Sequence, residues 1–258
     1  MTQTTLSQKK KIKYTLGRDN KIKGDMQRIR ISQGCYRQCD NCYEPLEVEL
    51  YMDVIDKIER NKVVLIDMNI LDPRKPVKEI LNKLIDKRVN NKKVYYEMGC
   101  GFDFTQITPE IAHLIYKGNF GVFNRKNKWS RNIKLAWDRS INEQDILKKS
   151  LNNLIRAGFK SKEISMFIII NYRIPLSECD LKLDFLKRYN IKVCPCCYDG
   201  GFKVMVPKYW SEKEIKYFSN KCSIHNQLIN FGIFPDKNKI KRLQDQFKRL
   251  YRGQKWIK

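Results

Sequence analysis

The sequence predicts an α/β chain, a partial (β/α)6 TIM-like barrel with a basic N-terminal arm and a C-terminal helix. Three observations carry that prediction. Six short apolar runs recur at a regular beat, and a stretch with helical spacing or a helix cap follows each of them. Two of the runs, Val63–Ile66 and Met166–Ile170, are apolar without alternation, as strands covered on both faces must be. Six strand–helix units call for a parallel sheet with covering helices, yet they are too few for an eight-fold barrel. Functional groups are then expected at the C-terminal ends of the strands.

In chain order, residues 1–25 are basic and weakly patterned, an extended arm. The barrel is assigned to residues 26–236. Strand 1 covers Gln27–Ser32, and Leu46, Leu50, Val54 and Ile58 at four-residue spacing predict a helix over Leu46–Arg60. Strand 2 is Val63–Met68, and Ile80, Leu81, Leu84 and Ile85 mark a helix over Val77–Val89. Strand 3 is Lys93–Met98. The next helix opens with Thr108 as cap and Pro109 in its first turn, and it ends at Gly118. Strand 4 is Asn132–Trp137, followed by a helix over Asn142–Ala157 that closes on Gly158. Strand 5 is Ile164–Asn171 with a helix over Ser177–Tyr189. Strand 6 is Ile191–Tyr198, and its helix, Ser211–Asn230, starts with the capping-box pair Ser211 and Glu214. Residues 237–258 carry Leu243, Phe247, Leu250 and Tyr251 on one face of a basic amphipathic helix.

The 258 residues are 42% hydrophobic, enough to build a real core. No run of about 18 apolar residues is present, and Met1–Lys13 is polar and basic, so neither a membrane span nor a secretory signal is expected. Nine cysteines, an odd number without an export signal, read as reduced thiols or metal ligands in a reducing cytoplasm. The net charge is +24, from 52 Lys and Arg against 28 Asp and Glu. Only Ala112, Ala136 and Ala157 are alanines, so codon bias explains much of the lysine, but not the shortage of carboxylates. A polyanionic partner such as nucleic acid and a solvated basic surface both stand as readings of that charge.

The sharpest local signal is Cys35-Tyr-Arg-Gln-Cys39-Asp-Asn-Cys42, which lies between strand 1 and the first helix. A short loop curling about one point brings three thiolates to three irons of a cubane cluster and leaves the fourth iron open to a chelating small molecule. A structural zinc ion wants a fourth ligand close by, and neither His113 nor His225 is near in sequence.

With this motif after the first of six βα units, the chain resembles the radical S-adenosylmethionine (radical SAM) superfamily over about residues 26–200. Asp67-Met-Asn69 at the end of strand 2 looks like the Asp-x-Asn ending in one branch of that superfamily. Gly99-Cys-Gly101-Phe-Asp103-Phe-Thr105 is similar to the Gly-Leu-Asp-x-Arg segment after strand 3. Leu135-Ala-Trp137-Asp138 and Ile168-Ile-Ile-Asn171-Tyr172 look like the ends of strands 4 and 5. Two positions depart from the pattern. Asn41 stands where an aromatic residue usually precedes the third cysteine, leaving Tyr36 or Tyr43 to supply that contact, and Thr105 replaces the arginine.

The resemblance implies a small, stand-alone cytoplasmic enzyme in which Cys35, Cys39 and Cys42 ligate a [4Fe–4S] cluster whose open iron binds S-adenosylmethionine. Reductive cleavage of that molecule would yield a 5′-deoxyadenosyl radical that takes hydrogen from a substrate the sequence does not identify. It also implies cofactor contacts by Asp67 and Asn69 to the ammonium of S-adenosylmethionine, by Asp103 and Asp138 at strand ends, and by Asn171 and Tyr172 near the adenine. A flavodoxin- or ferredoxin-like electron donor is implied as partner, and an acidic donor gives the basic surface a further explanation. Modification of RNA is the alternative within enzymes. A non-catalytic zinc- or cluster-binding nucleic-acid module is the alternative outside them. A second cysteine group, Cys194, Cys196, Cys197 and Cys222 with His225 and Cys100, reads either as inert packing or as an auxiliary metal site.

Overall fold

A computed structural model describes residues 20–42, 44–198 and 209–232. The fold is mixed α/β with parallel sheets and covering helices. Its strands are β1 (Lys21–Lys23), β2 (Met26–Ile29), β3 (Ser32–Gln33), β4 (Glu49–Leu50), β5 (Lys62–Leu65), β6 (Arg88–Val89), β7 (Lys92–Lys93), β8 (Tyr95–Met98), β9 (Phe102–Asp103), β10 (Phe120–Phe123), β11 (Trp129–Ser130), β12 (Ile133–Ala136), β13 (Ile164–Ile170) and β14 (Lys192–Cys197). The α-helices are α1 (Asp53–Asp56), α2 (Val77–Asp86), α3 (Pro109–Lys117), α4 (Gln144–Ala157), α5 (Leu176–Arg188) and α6 (Glu212–Asn230).

All six expected strands are present, and they run parallel. One sheet has the order β1-β2-β5-β8-β10-β11 and the other β14-β13-β12-β9. Among the described residues these are two open sheets rather than one closed ring. One stretch of chain serves both. It pairs with β5 through β8, bends at Gly99–Gly101, and pairs with β12 through β9, with Phe102 opposite Leu135. Gly101 has φ +80°, and a Cβ there would lie 3.2 Å from the Lys134 carbonyl oxygen, so the bend depends on glycine. Register keeps the C-terminal strand ends level: Ile29 faces Leu65, Leu65 faces Met98, and Asp103 faces Ala136.

One core runs from Ile29 to Cys222 and takes residues from both sheets. The helices turn their apolar stripes onto it, through Ile80, Leu81 and Leu84 of α2, Leu147, Leu151 and Leu154 of α4, and Leu183 and Leu186 of α5. Caps sit where the sequence places them. Thr108 Oγ1 accepts from the Ile111 amide at 3.2 Å, Gly158 ends α4 in the left-handed region, and Ser211 with Glu214 closes a capping box at α6.

Three expectations are corrected. The helix predicted over Leu46–Arg60 shrinks to the single turn α1, because β4 is drawn into an antiparallel pair with β3 and the Tyr51 amide donates to the Ile31 carbonyl at 2.7 Å. Leu46 and Leu50, half of the apparent stripe, are exposed. The arm over residues 1–25 ends in a strand, since β1 forms a hairpin with β2. A seventh parallel strand, β10, lies beside β8 and carries β11 as an antiparallel edge. The remainder of the arm, Tyr43 and the basic helix expected over residues 237–258 lie outside the described residues. No described helix is long and apolar enough to cross a membrane.

Candidate active site

The cysteine loop leaves β3 through Gly34, whose φ is +93° and whose hypothetical Cβ would sit 2.2 Å from the Glu47 carbonyl oxygen. Only glycine lets the chain pass beneath that segment. The loop then closes on itself. The Cys35 amide donates to the Pro45 carbonyl at 2.9 Å, the Cys42 amide to the Cys39 carbonyl at 3.0 Å, and Gln38 Nε2 to the Cys35 carbonyl at 2.8 Å. Outside groups fix its orientation. The Gly34 amide donates to the buried carboxylate of Glu44 at 2.8 Å, and the Tyr36 amide to Asp72 at 2.8 Å.

As a result Cys35, Cys39 and Cys42 line one cleft, together with Asn41 and Arg37. The remaining walls come from the strand ends: Met68 and Asn69 after β5, Cys100, Gly101 and Asp103 at the β8–β9 bend, and Ala136 at the end of β12 with Asp138 and Arg139 beyond it. The cleft holds about 730 Å3, open solvent included. Burial, with the charges of Glu44, Cys39 and Cys35 adding to it, pushes the Cys42 thiol up to about 11. A bound cationic centre reverses that ordering and favours the thiolate. Among the described residues, no three His, Cys, Asp or Glu side chains group so as to hold a metal ion.

The candidate cofactor contacts divide into three sets. Asp67 and Asn171 are fully buried and occupied elsewhere. The Asp67 carboxylate accepts from the Ile31 amide (3.1 Å), the Ser32 amide (2.6 Å) and the Ser32 hydroxyl (2.8 Å), so it staples the end of β5 to the root of the cysteine loop instead of facing the cleft. Asn171, at φ +56°, donates to the Tyr198 carbonyl (2.9 Å) and accepts from the Tyr209 and Trp210 amides, tying β13 to the entry of α6. Tyr172 packs edge-on against Tyr198 and Tyr209, with ring centroids 4.9 and 5.6 Å away, and is not part of the cleft wall.

Asn69 and Asp103 do line the cleft, and both are bound within it. Asn69 Nδ2 donates to Cys35 Sγ at 3.4 Å and to Asp103 Oδ2 at 3.2 Å. Asp103 also accepts from Tyr36 Oη (3.1 Å), from the Thr105 amide and hydroxyl (3.1 and 2.7 Å), and from Arg37 Nη1 (2.7 Å). Asp138 is the third case. It faces the cleft and, among the described residues, makes no hydrogen bond or ion pair. Burial pushes its carboxyl up to about 6 against the pull of Lys182 and Arg37.

Sequence reasoning passed over Arg37 and Arg139. Arg37 forks between Asp103 (2.7 Å) and Glu143 (2.6 Å), and Arg139 reaches back to the Arg37 carbonyl. Their signal was the position of Arg37 inside the cysteine motif and of Arg139 one residue past a strand-end acid. Thr105 Oγ1 lies 3.2 Å from Arg37 Nη1, so the cysteine loop itself brings a guanidinium to that point.

Among the described residues the second cysteine group forms no set of three or more side chains that could hold a metal ion. Cys100 belongs to the main cleft, with its thiol 3.3 Å from Met68 Sδ and pushed up to about 11 by burial. Cys222 and His225 are buried on the inner face of α6, where His225 Nε2 meets the Ile191 carbonyl at 2.7 Å. Cys196 is exposed on β14. A comparison with protein-family models gave no match, and a search of curated proteins found none similar to this chain.

Proposed function

We propose that this chain is a radical SAM enzyme built on a partial (β/α)6 barrel. The observation that supports this most directly is that the three thiols of the C-x3-C-x2-C loop share one cleft with the ends of β5, β9 and β12. The donor set suits a [4Fe–4S] cluster. Three soft thiol ligands lie on one loop, the Asn69 amide donates to Cys35 Sγ, and the Glu44 backbone N–H donates to Cys42 Sγ at 3.4 Å. Bound there, a reduced cluster would supply the electron that cleaves S-adenosylmethionine and starts hydrogen abstraction from a substrate.

The chain's own residues hold and orient. Cys35, Cys39 and Cys42 are the ligands. Asp138 offers an uncommitted carboxylate to a hydroxyl or ammonium of S-adenosylmethionine or of the substrate, a charge-assisted contact when it is ionised. Gly101 carries the bend that sets Cys100 and Asp103 on the cleft wall. The net charge of +24 suits an acidic flavodoxin- or ferredoxin-like electron donor.

The test is anaerobic reconstitution with iron and sulfide, followed by dithionite, S-adenosylmethionine and mass spectrometry for 5′-deoxyadenosine. The parent is expected to form it, and a Cys35→Ala/Cys39→Ala/Cys42→Ala variant to bind no cluster and form none. A colourless parent carrying zinc, or a loaded parent that never cleaves S-adenosylmethionine, would overturn the proposal.

A further inference from the structure

Asn69 is placed unlike a residue waiting for a ligand. It is 4% exposed, and both ends of its amide are occupied. Oδ1 accepts from the Leu71 backbone N–H at 3.1 Å. Nδ2 faces Asp103 Oδ2 at 3.2 Å and Cys35 Sγ at 3.4 Å. The two ends fix the orientation of the amide without ambiguity, because a backbone N–H can only donate and a carboxylate can only accept. The residue's carbonyl is held as well, by Lys75 Nζ at 2.7 Å.

Asp103, which orients that NH2 group, is itself clamped. Its Oδ1 takes Arg37 Nη1 and the Thr105 amide and hydroxyl, and Arg37 is braced from behind by Glu143. A continuous chain therefore runs from Glu143 through Arg37, Asp103 and Asn69 to the sulfur of Cys35. Every link is a hydrogen bond of stated length, and Arg37 keeps only 12% of its side chain exposed. Each residue in the chain is immobilised by the next.

We infer that Asn69 is a positioning residue for the Cys35 sulfur, donating one N–H to it from a direction set by Asp103 and Arg37, and that this bond raises the reduction potential of a cluster bound there. The inference rests on the cluster reading above. Its physical basis is general. Reduction adds negative charge that spreads onto the ligand sulfurs, and an N–H aimed at one of them stabilises the reduced state more than the oxidised state. Asn69 thereby acts on the cluster through Cys35 rather than by touching S-adenosylmethionine.

The test is a redox titration of the reconstituted protein followed by electron paramagnetic resonance, comparing the parent with Asn69→Leu and Asn69→Ala. Asn153→Leu serves as a control, because the amide of that buried asparagine donates to the Ile107 carbonyl at 2.8 Å and to no cysteine. The expected result is a midpoint potential shifted to more negative values in both Asn69 variants and unchanged in the control. A variant that folds with parental circular dichroism but loses iron faster than the parent supports the same role. Parental potential and parental iron retention in both variants overturn the inference while leaving the cluster reading intact. A parent that takes up no cluster overturns both.

Discussion

Asp138 is the ionisable group whose placement makes the clearest prediction. Its carboxyl faces the cleft without a partner among the described residues, and burial lifts it from 3.8 to about 6. A folded-state value above the unfolded one means that folding favours the protonated form. The stabilisation from this group is complete below about pH 4 and is lost as pH rises through 6. Above pH 7 the ionised carboxylate costs the fold up to roughly 3 kcal/mol. Asp138→Asn is therefore expected to stabilise the cluster-free protein in urea unfolding at pH 8 and to match the parent near pH 4. Equal stabilities at pH 8 would show that water or a neighbouring cation already compensates the charge. Under the proposed function, Asp138→Asn would also weaken S-adenosylmethionine binding in the loaded protein, since the uncompensated charge is what a bound cation or hydroxyl would use. At this scale the sequence was informative about which side chains line the cleft and less so about which support it. The spacing of Cys35, Cys39 and Cys42 announced the loop. Asp67 and Asn171 read equally well as contacts, because a strand-end Asp or Asn looks the same whether it faces a ligand or the backbone behind it.

Among the elements, the stapling of β5 to the cysteine loop is the most exposed to a single change. Asp67 offers one buried carboxylate to two backbone N–H groups and one hydroxyl. Asp67→Ala leaves those donors buried and unpaired, at a cost of about 2–5 kcal/mol. It should also loosen the root of the loop, so iron retention is expected to fall along with the urea midpoint. A variant of parental stability would mean the loop finds other partners. Ser211→Ala at the start of α6 is expected to cost only about 1 kcal/mol, since the capping box is solvent-exposed. The legibility of the elements followed the same physics. Long apolar strands such as β13 and helices with complete caps such as α3 were readable, because local chemistry alone decides them. The helix expected over residues 46–60 was not, because β3, whose Ser32 and Gln33 pair with Leu50 and Glu49, competes for the same backbone. β10 escaped notice because four residues, one of them Gly121, carry too little periodicity to stand out from a loop.

For the whole molecule, the question is whether surface charge holds the fold together or strains it. Ion pairs such as Lys57–Asp53, Lys216–Glu212 and Lys78–Glu110 are exposed and contribute at most about 1 kcal/mol each. Against them stands a net charge of +24, whose self-repulsion opposes any compact state. Raising salt from about 0.05 M to about 0.5 M shortens the screening length from ~14 Å to ~4 Å, which weakens long-range repulsion more than contacts already within 4 Å. The balance predicts that the melting temperature rises with sodium chloride over that range. The single core shared by both sheets predicts further that the rise belongs to one transition. Trp129 on β11 and Trp137 after β12 belong to different sheets, so tryptophan fluorescence and far-ultraviolet circular dichroism should give coincident curves at every salt concentration. A melting temperature that falls with salt would mean that the ion pairs outweigh the repulsion. Curves that separate would mean that the two sheets unfold independently, and the shared strand β8–β9 would then be a hinge between units rather than a seam within one.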